Sequence, residues 1–435
     1  MSVHAPGRVA YVNARLLDPA SGLDAKGALL TEGEAIAAVG PGLFADGVPA
    51  DAEVVDCRGA CLSPGLIDMR VQLREPGEDH KETLLSAGQA AVAGGVTAMV
   101  CLPNTNPVID DVATVEFVAR RARKNGLAKV YPYAAATKRL EGKELAEMGM
   151  LAEAGALAFT DGVKCIRNAQ VLRRALSYAA TFGLLIVQHA EEPSMAENGV
   201  MNEGEMATRL GLSGISPAAE AIILERDMRL VEITGGRYHA AHVATAEGVE
   251  ILRRAKARGL PVTADTAPPY FALNELAVGD YRTFAKLSPP LRSEDDRRAV
   301  AQGLRDGVID VIASDHAPQD QDSKRLPFAQ AAFGGVGLET LLPVSLELYH
   351  NGLLPLLEVI RRLTVNPARL LGLAAGELKA GAAADLTLFD PDRAWKINPD
   401  RFRSKSKNSP FDGLPVQGRV LRTVIDGRTV FHADA

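Results

Sequence analysis

The pair Arg70 and Gln72 is the first feature of the chain that bears on its chemistry. In a β-strand, side chains two residues apart face the same side, so positions 70 and 72 project together. Two imidazoles at this spacing could chelate one metal ion. Arginine is always protonated and a glutamine amide is a poor zinc ligand, so this pair cannot act in that way.

A second set of chargeable residues follows short apolar runs further along the chain. Its members are Asp161, His189, His242, Asp315 and His316. In α/β barrels the catalytic groups lie at the carboxyl ends of the strands. A single buried histidine is more often a core residue than a ligand, but the repetition at successive run ends favours one shared site.

The elements that must position these residues follow a regular alternation. Between residues 63 and 373, short apolar runs alternate with longer segments rich in Ala, Leu, Glu and Arg, which is typical of repeated strand–helix units. We expect eight strands, at 65–68, 98–102, 130–135, 156–160, 184–189, 238–242, 262–265 and 311–315. This pattern predicts an α/β protein with a (β/α)8 TIM barrel.

Both chain ends have a different texture. Short β-like runs separated by Gly, Asp and Pro turns occur within residues 1–62 and return within residues 374–435, without a long helical pattern. We therefore expect the two ends to build one small β domain, a β-sandwich, beside the barrel formed by residues 63–373.

Composition excludes several classes of protein. The 435 residues are 47% hydrophobic and 23% charged with a net charge of −6, as in an ordinary globular protein without a basic field for nucleic acid or anionic membranes. The sequence lacks a secretory leader and a long apolar run, so we expect a cytoplasmic location. The spacing of Cys57 and Cys61 would suit a metal site, but without a second pair nearby we favour a structural role for these two reduced thiols.

Several motifs together carry a family resemblance. They are Leu-Arg-Glu-Pro-Gly at 73–77, Leu-Pro-Asn-Thr-Asn-Pro at 102–107, Gln-His-Ala-Glu at 188–191, Ala-His-Val-Ala-Thr at 241–245, Ala-Ser-Asp-His-Ala-Pro at 313–318, Gly-Gly-Val-Gly-Leu-Glu-Thr at 334–340 and Thr-Val-Asn-Pro-Ala at 364–368. Along nearly its whole length the chain resembles the long bacterial dihydroorotases of the amidohydrolase superfamily. In that family His-x-His precedes the first motif and holds a catalytic metal, whereas this chain has Arg70 and Gln72.

The resemblance implies an activity: reversible ring closure of carbamoyl-aspartate to dihydroorotate in pyrimidine biosynthesis, at a pair of metal ions. It implies that Arg74 and Asn104 hold the substrate carboxylate and that His316 contacts the substrate. A planar guanidinium beside an amide suits a carboxylate.

The resemblance also implies a metal-ligand set. His189 and His242 match ligands of one metal, and Asp315 matches a ligand that also serves as general base. Asp161 lies where the family has a carboxylated lysine or an aspartate.

Further departures fall in the same site. Ser288 stands in place of a substrate-contacting asparagine, and Pro269 with Tyr270 stands in place of a His-His pair. Together with Arg70 and Gln72, these exchanges affect the site while the fold motifs persist.

Two functional hypotheses remain open. The chain is either a catalytically degenerate homologue that acts as a structural partner of aspartate transcarbamoylase, as some noncatalytic dihydroorotase-like chains do, or an active dihydroorotase with one zinc ion. In the second case His189, His242 and Asp161 would hold the zinc with water as fourth ligand. We expect no binuclear centre, a homo-oligomer, and an ion pair between Arg70 and either Asp315 or Asp161; a small carboxylate ligand at the retained substrate residues stays open.

Overall fold

A computed structural model describes residues 7–433. Its strands are β1 (Arg8–Asp18), β2 (Leu23–Glu32), β3 (Ala35–Gly40), β4 (Ala52–Asp56), β5 (Cys61–Pro64), β6 (Leu66–Val71), β7 (Val96–Cys101), β8 (Lys129–Pro132), β9 (Leu185–His189), β10 (Met201–Asn202), β11 (Gly214–Ile215), β12 (Arg237–Ala241), β13 (Val262–Thr266), β14 (Val311–Ile312), β15 (Leu386–Lys396), β16 (Pro415–Ile425) and β17 (Arg428–His432).

The helices of this part of the chain lie mainly between the barrel strands. They are α1 (Leu84–Ala93), α2 (Val112–Asn125), α3 (Met148–Glu153), α4 (Ala169–Thr181), α5 (Pro193–Ala196), α6 (Glu205–Leu210), α7 (Ala218–Thr234), α8 (Ala246–Ala257), α9 (Pro268–Ala272), α10 (Glu294–Arg305), α11 (Gln321–Arg325), α12 (Leu341–His350), α13 (Leu356–Leu363) and α14 (Val365–Leu371). Across residues 7–433, none of these helices has the length and apolar character needed to cross a bilayer.

One sheet joins the two ends of the chain. Its strand order is β17-β16-β15-β5-β1-β2-β3, and β4 pairs with β1. A cluster that includes Tyr11, Leu29, Leu62 and Val424 fills its core. The prediction that both ends build one sheet domain is confirmed, while its division from the barrel at residues 62/63 and 373/374 stays a prediction.

Two groups of parallel strands from the middle of the chain form the barrel. Strands β6, β7 and β8 pair in parallel, as do β9, β12, β13 and β14. Parallel bridges from Phe159 to Ala134 and Ile186 join these two groups on one side, and a bridge from Val71 to His316 joins them on the other. The ring therefore has eight strand positions, which agrees with the predicted (β/α)8 fold.

The fourth barrel position differs from its prediction in extent. Only Phe159 bridges its neighbours, so residues 156–160 do not form a full strand. The backbone of the segment is still paired on both sides, since Phe159 N–H donates to Leu185 O and Ala134 N–H donates to Ala158 O, both at 3.0 Å. Short pairing suffices to hold Asp161, the next chargeable residue, at the barrel end.

Candidate functional site

The predicted site residues converge at the carboxyl ends of the barrel strands. Arg70 lies at the end of β6, His189 ends β9, His242 follows β12 and Asp315 follows β14. His242 and Asp315 have φ values of 39° and 51°. Residues other than glycine rarely adopt this left-handed backbone conformation, and such backbone strain is common at functional sites.

A buried ion pair occupies the centre of this group. Arg70 Nε donates to Asp315 Oδ1 at 2.9 Å, with the two side chains 2% and 14% exposed. Arg70 Nη2 also donates to the Gly162 carbonyl at 3.4 Å, whereas Nη1 is buried without a hydrogen-bond partner. The prediction that Arg70 pairs with an acid is confirmed, and the acid is Asp315 rather than Asp161.

Two histidines extend the pair into a chain of contacts. His242 Nδ1 lies 3.0 Å from Asp315 Oδ2, and His242 Nε2 lies 2.8 Å from His189 Nδ1. Burial and the Arg70 charge lower the pKa of His242 to about 4, against the opposing effect of Asp315. A neutral His242 satisfies both contacts in one tautomer, in which Nδ1–H donates to Asp315 and Nε2 accepts from His189.

Asp315 stays ionised in this setting. Burial alone would raise the pKa of its carboxyl, but His242 and Arg70 outweigh burial and hold that pKa well below its usual range. A carboxylate with so low a pKa is a weak base. Its two oxygens are already engaged, one by Arg70 and the other by His242.

Asp161 is held apart from these groups. Its carboxylate accepts hydrogen bonds from Thr137 N–H at 3.0 Å and from Thr137 Oγ1 at 2.6 Å. Burial raises its pKa, and the bonds from Thr137 partly oppose that rise. Both of these hydrogen bonds come from Thr137, and neither joins Asp161 to His189 or His242. The role of Asp161 as a zinc ligand beside these two histidines stays a prediction.

The residues present do not fit the binuclear metal centre that the resemblance implies. Arginine and glutamine replace the first-strand histidines, and Asp315 is committed to a guanidinium. Across residues 7–433 no group of three or more His, Cys, Asp or Glu side chains is placed to hold a metal ion. Cys57 and Cys61 are buried and free, and their structural role stays a prediction.

A cavity of about 340 Å³ opens beside the ion pair, and we call it the mouth cavity. The predicted carboxylate residues Arg74 and Asn104 line it together with Gln72. Arg74 Nε donates to the Pro318 carbonyl at 3.1 Å and Nη1 to Glu78 Oε2 at 2.8 Å. The structure thus brings the two predicted binding residues to one cavity.

The exchanged residues line the same cavity. Ser288, Pro269 and Tyr270 all contribute to its wall. The Tyr270 hydroxyl donates to the Pro289 carbonyl at 3.1 Å and lies 3.4 Å from Asp315 Oδ2. Burial raises the pKa of Tyr270 well above its usual value, so the phenol stays protonated.

His316 is placed differently from its predicted role. The ring is fully buried and lies outside the wall of the mouth cavity. Its Nδ1 accepts from Gly337 N–H at 3.1 Å, and its Nε2 lies 3.4 Å from Glu82 Oε2. These contacts tie the ring into the protein interior, and the substrate contact stays a prediction.

Sequence reasoning missed a segment that closes the cavity from the far end of the chain. Pro410 and Phe411 line the cavity, and Asn408 Nδ2 donates to the Gly334 carbonyl at 2.9 Å. Upstream, Ser404 Oγ donates to Glu82. No periodicity or spacing in residues 402–412 signals these contacts, because their partners lie far away in sequence.

Comparisons with known proteins agree with this architecture. A family model described as Dihydro-orotase-like matches residues 59–248, and an Amidohydrolase family model matches residues 234–431. A protein of Ehrlichia chaffeensis named dihydroorotase is 45% identical over 99% of this chain and 96% of the relative, and one of Anaplasma phagocytophilum with the same name is 47% identical over 98% and 96%. The structure of L-hydantoinase from Arthrobacter aurescens superposes with a TM-score of 0.86 at 25% identity, over 98% of this chain and 96% of that one.

Proposed function

Because the chain belongs to the dihydroorotase family, we propose that it is a homologue without metal-dependent turnover that acts as a structural partner of aspartate transcarbamoylase. The observation that carries the first part is the buried Arg70–Asp315 ion pair, 2.9 Å between Nε and Oδ1. The Arg70 guanidinium, a permanent cation, takes the place beside Asp315 that a metal ion would have.

The chemical consequence is large. A zinc ion lowers the pKa of its bound water from 15.7 to about 7, which corresponds to about 12 kcal/mol of nucleophile activation. A guanidinium balances the charge of Asp315 but has no open coordination position for water. The lowered pKa of Asp315 further weakens it as a proton acceptor.

The partner is proposed by resemblance to the noncatalytic dihydroorotase-like chains that assemble with aspartate transcarbamoylase. Such a chain needs an intact surface and fold rather than a working metal site. The retained barrel and the exchanged first-strand ligands are compatible with that role, and we extend the proposal to a homo-oligomeric form of the chain within the assembly.

A second candidate is an active dihydroorotase with one zinc ion. The relatives that are 45% and 47% identical carry the name dihydroorotase, which favours it. His189 Nδ1 and His242 Nε2 already face each other at 2.8 Å. Nitrogens on one tetrahedral zinc lie about 3.3 Å apart, so a small separation of the rings would be needed before His189 and His242 could share an ion.

Turnover and metal content separate the two candidates. The purified full chain, with and without added zinc, is assayed for dihydroorotate hydrolysis and carbamoyl-aspartate cyclisation beside an established dihydroorotase, and its metals are counted by elemental analysis. We expect no turnover and no pair of tightly held ions. A turnover number of about 1–10³ per second would reject the noncatalytic proposal.

Assembly is tested separately. The chain is mixed with aspartate transcarbamoylase from the same organism, and the masses of the eluted species are measured by light scattering after size exclusion. We expect one species that contains both proteins. Independent elution of the two at micromolar concentration would reject the partnership while leaving the turnover result unaffected.

A further inference from the structure

A second large cavity lies away from the barrel mouth, where the sheet domain meets α12. Its volume is about 1040 Å³, and its walls come from β15, the segment that follows β15, β16 and the end of β17. It shares no lining residue with the mouth cavity. Five basic side chains line it, and we call it the basic groove: Arg393, Lys396, Arg401, Arg403 and Arg419.

The positive charge of the basic groove is not neutralised by the surrounding protein. Within residues 7–433, none of the five basic side chains forms a salt bridge or donates a side-chain hydrogen bond. Exposed arginines elsewhere do have such partners, as Arg297 has in Glu294 at 2.7 Å. Although the whole chain has a net charge of −6, the lining of this cavity therefore carries a local excess of positive charge.

The two carboxylates in the lining do not remove this excess. They are Glu339 and Asp412, against five basic side chains. The Glu339 carboxylate accepts hydrogen bonds from the backbone N–H groups of Arg403 and Ser404 at 2.7 and 3.1 Å. Burial raises the pKa of Glu339 to about 7, so near neutral pH this carboxyl is only partly ionised.

The basic side chains are close enough to disfavour one another's charge. Burial and the charges of Arg393 and Arg401 lower the pKa of Arg419, and Glu339 only partly opposes them. An anion placed among these guanidinium groups would relieve that repulsion, because opposite charges nearby favour the ionised form. The groove is therefore electrostatically prepared for an anion.

Trp395 holds Arg419 in position for such a ligand. The Arg419 guanidinium lies over the Trp395 ring, 4.7 Å from its centroid, and Trp395 Nε1 donates to the Gly418 carbonyl at 2.7 Å. Gly418 packs so closely on α12 that a Cβ atom there would lie 2.4 Å from Leu346 Cδ1. A guanidinium held on an aromatic face loses less conformational freedom when it binds an anion than a free one does.

Size and charge together favour a compact ligand with several negative charges. The volume is at the upper end of the range of about 300–1000 Å³ that is usual for small-molecule sites. Guanidinium groups bind phosphate oxygens in bidentate fashion. A chain of linked phosphates concentrates several charges within one cavity, whereas an acidic protein surface spreads its charges over a larger area.

We propose that the basic groove is a binding site for a small oligophosphate, either free or as the phosphate chain of a nucleotide, with Arg393, Arg401 and Arg419 as its principal contacts. The inference concerns a site apart from the Arg70–Asp315 ion pair. Its outcome is therefore independent of the turnover and assembly experiments that test the proposed function.

Trp395 provides a direct readout, because it is the single tryptophan of the sequence. The full chain is titrated with inorganic tripolyphosphate at low salt while tryptophan fluorescence is recorded. We expect a change in emission with a Kd of about 0.1 mM or tighter, and binding at least about tenfold weaker for inorganic monophosphate. Raising the salt to about 0.5 M should also weaken tripolyphosphate at least about tenfold.

Two arms of the experiment identify the source of the phosphate chain and the class of ligand. Calorimetric titration with ATP distinguishes a nucleotide, which requires tighter binding than tripolyphosphate, from a free oligophosphate, which requires equal or weaker binding by ATP. A poly-glutamate peptide tests an acidic protein segment as the occupant. If the peptide bound more tightly than tripolyphosphate, the inference would be overturned.

Matched variants locate the bound anion. Arg419→Gln and Arg401→Gln each remove one charge from an exposed side chain of the groove, and each should weaken tripolyphosphate about tenfold or more. Arg174→Gln removes the same charge from an exposed arginine of α4 outside the groove and should leave the affinity within about twofold. The absence of binding at about 5 mM tripolyphosphate in low salt, or an equal loss of affinity in Arg174→Gln and the two groove variants, would reject the site.

Discussion

Replacing Arg70 by methionine is expected to destabilise the fold by about 3–5 kcal/mol, because it leaves the Asp315 carboxylate buried and short of its partner. The Arg70 side chain is 2% exposed, and its Nε lies 2.9 Å from that carboxylate. Two unit charges about 4 Å apart interact by about 4 kcal/mol at an effective dielectric constant of 20, which is in the same range. Methionine retains much of the apolar part of the arginine side chain, so the lost free energy of unfolding is mainly electrostatic.

His242 should reduce this loss at low pH. The Arg70 charge is one cause of its lowered pKa, after burial, so the pKa of His242 rises when Arg70 is removed. A protonated His242 can then pair with Asp315 in place of the guanidinium. The destabilisation should therefore be larger near about pH 8 than near about pH 5, where the histidine is charged in the variant.

Urea unfolding of Arg70→Met, Asp315→Asn and the double variant measures the coupling directly, and we expect about 2 kcal/mol or more between the two sites. The matched control is Arg254→Met. Arg254 Nη2 lies 2.6 Å from Glu225 Oε1 in an ion pair whose two side chains are 58% and 48% exposed. That exposed pair should contribute less than about 1 kcal/mol. If Arg70→Met cost no more than Arg254→Met, the electrostatic account of the site would be refuted.

Three other outcomes follow from the same contacts. The pKa of His242 is about 4 in the folded chain and about 6.5 in the unfolded chain, so the unfolded chain takes up a proton first as the pH falls. The free energy of unfolding should therefore fall by up to about 3 kcal/mol between about pH 6.5 and pH 4, and urea titrations of His242→Gln should lack that part of the fall. Arg70→His with Gln72→His should bind zinc, measured by chelator competition, more tightly than either single variant, because one imidazole leaves the chelating pair incomplete; equal affinities would contradict this. Asp161→Asn should cost about 1–3 kcal/mol of unfolding free energy through its two bonds from Thr137 and leave metal content unchanged, and a drop in bound zinc would instead identify Asp161 as a ligand.

Much of the fold could be predicted because it depends on local patterns. Alternating apolar runs and helical segments indicate strand–helix units, and strand ends in such units meet at one face of the barrel. That reasoning predicted that His189, His242 and Asp315 lie at one end of the barrel. It also predicted the ion pair, since a buried carboxylate needs a cation.

The remaining features depend on contacts that no local pattern encodes. Asp161 is taken up by Thr137, 24 residues away, and Glu82 meets Ser404 across 322 residues. His316 is enclosed by the backbone that follows Gly335 rather than opened to the cavity. The residue types at these positions allow several partners, and only the assembled fold selects among them.

The persistence of His189, His242 and Asp315 is therefore weak support for catalysis. An ionised carboxylate in this interior needs a positive neighbour, and Arg70 meets that need without a metal. Because Arg70 keeps Asp315 ionised and in place, Asp315 Oδ2 accepts from His242 Nδ1–H, and His242 Nε2 accepts from His189 Nδ1–H. Removing any one of the three would strand a buried polar group, which costs about 1–3 kcal/mol. Stability alone can thus account for these three residues under the proposed absence of turnover, so their presence does not discriminate between the two candidate functions.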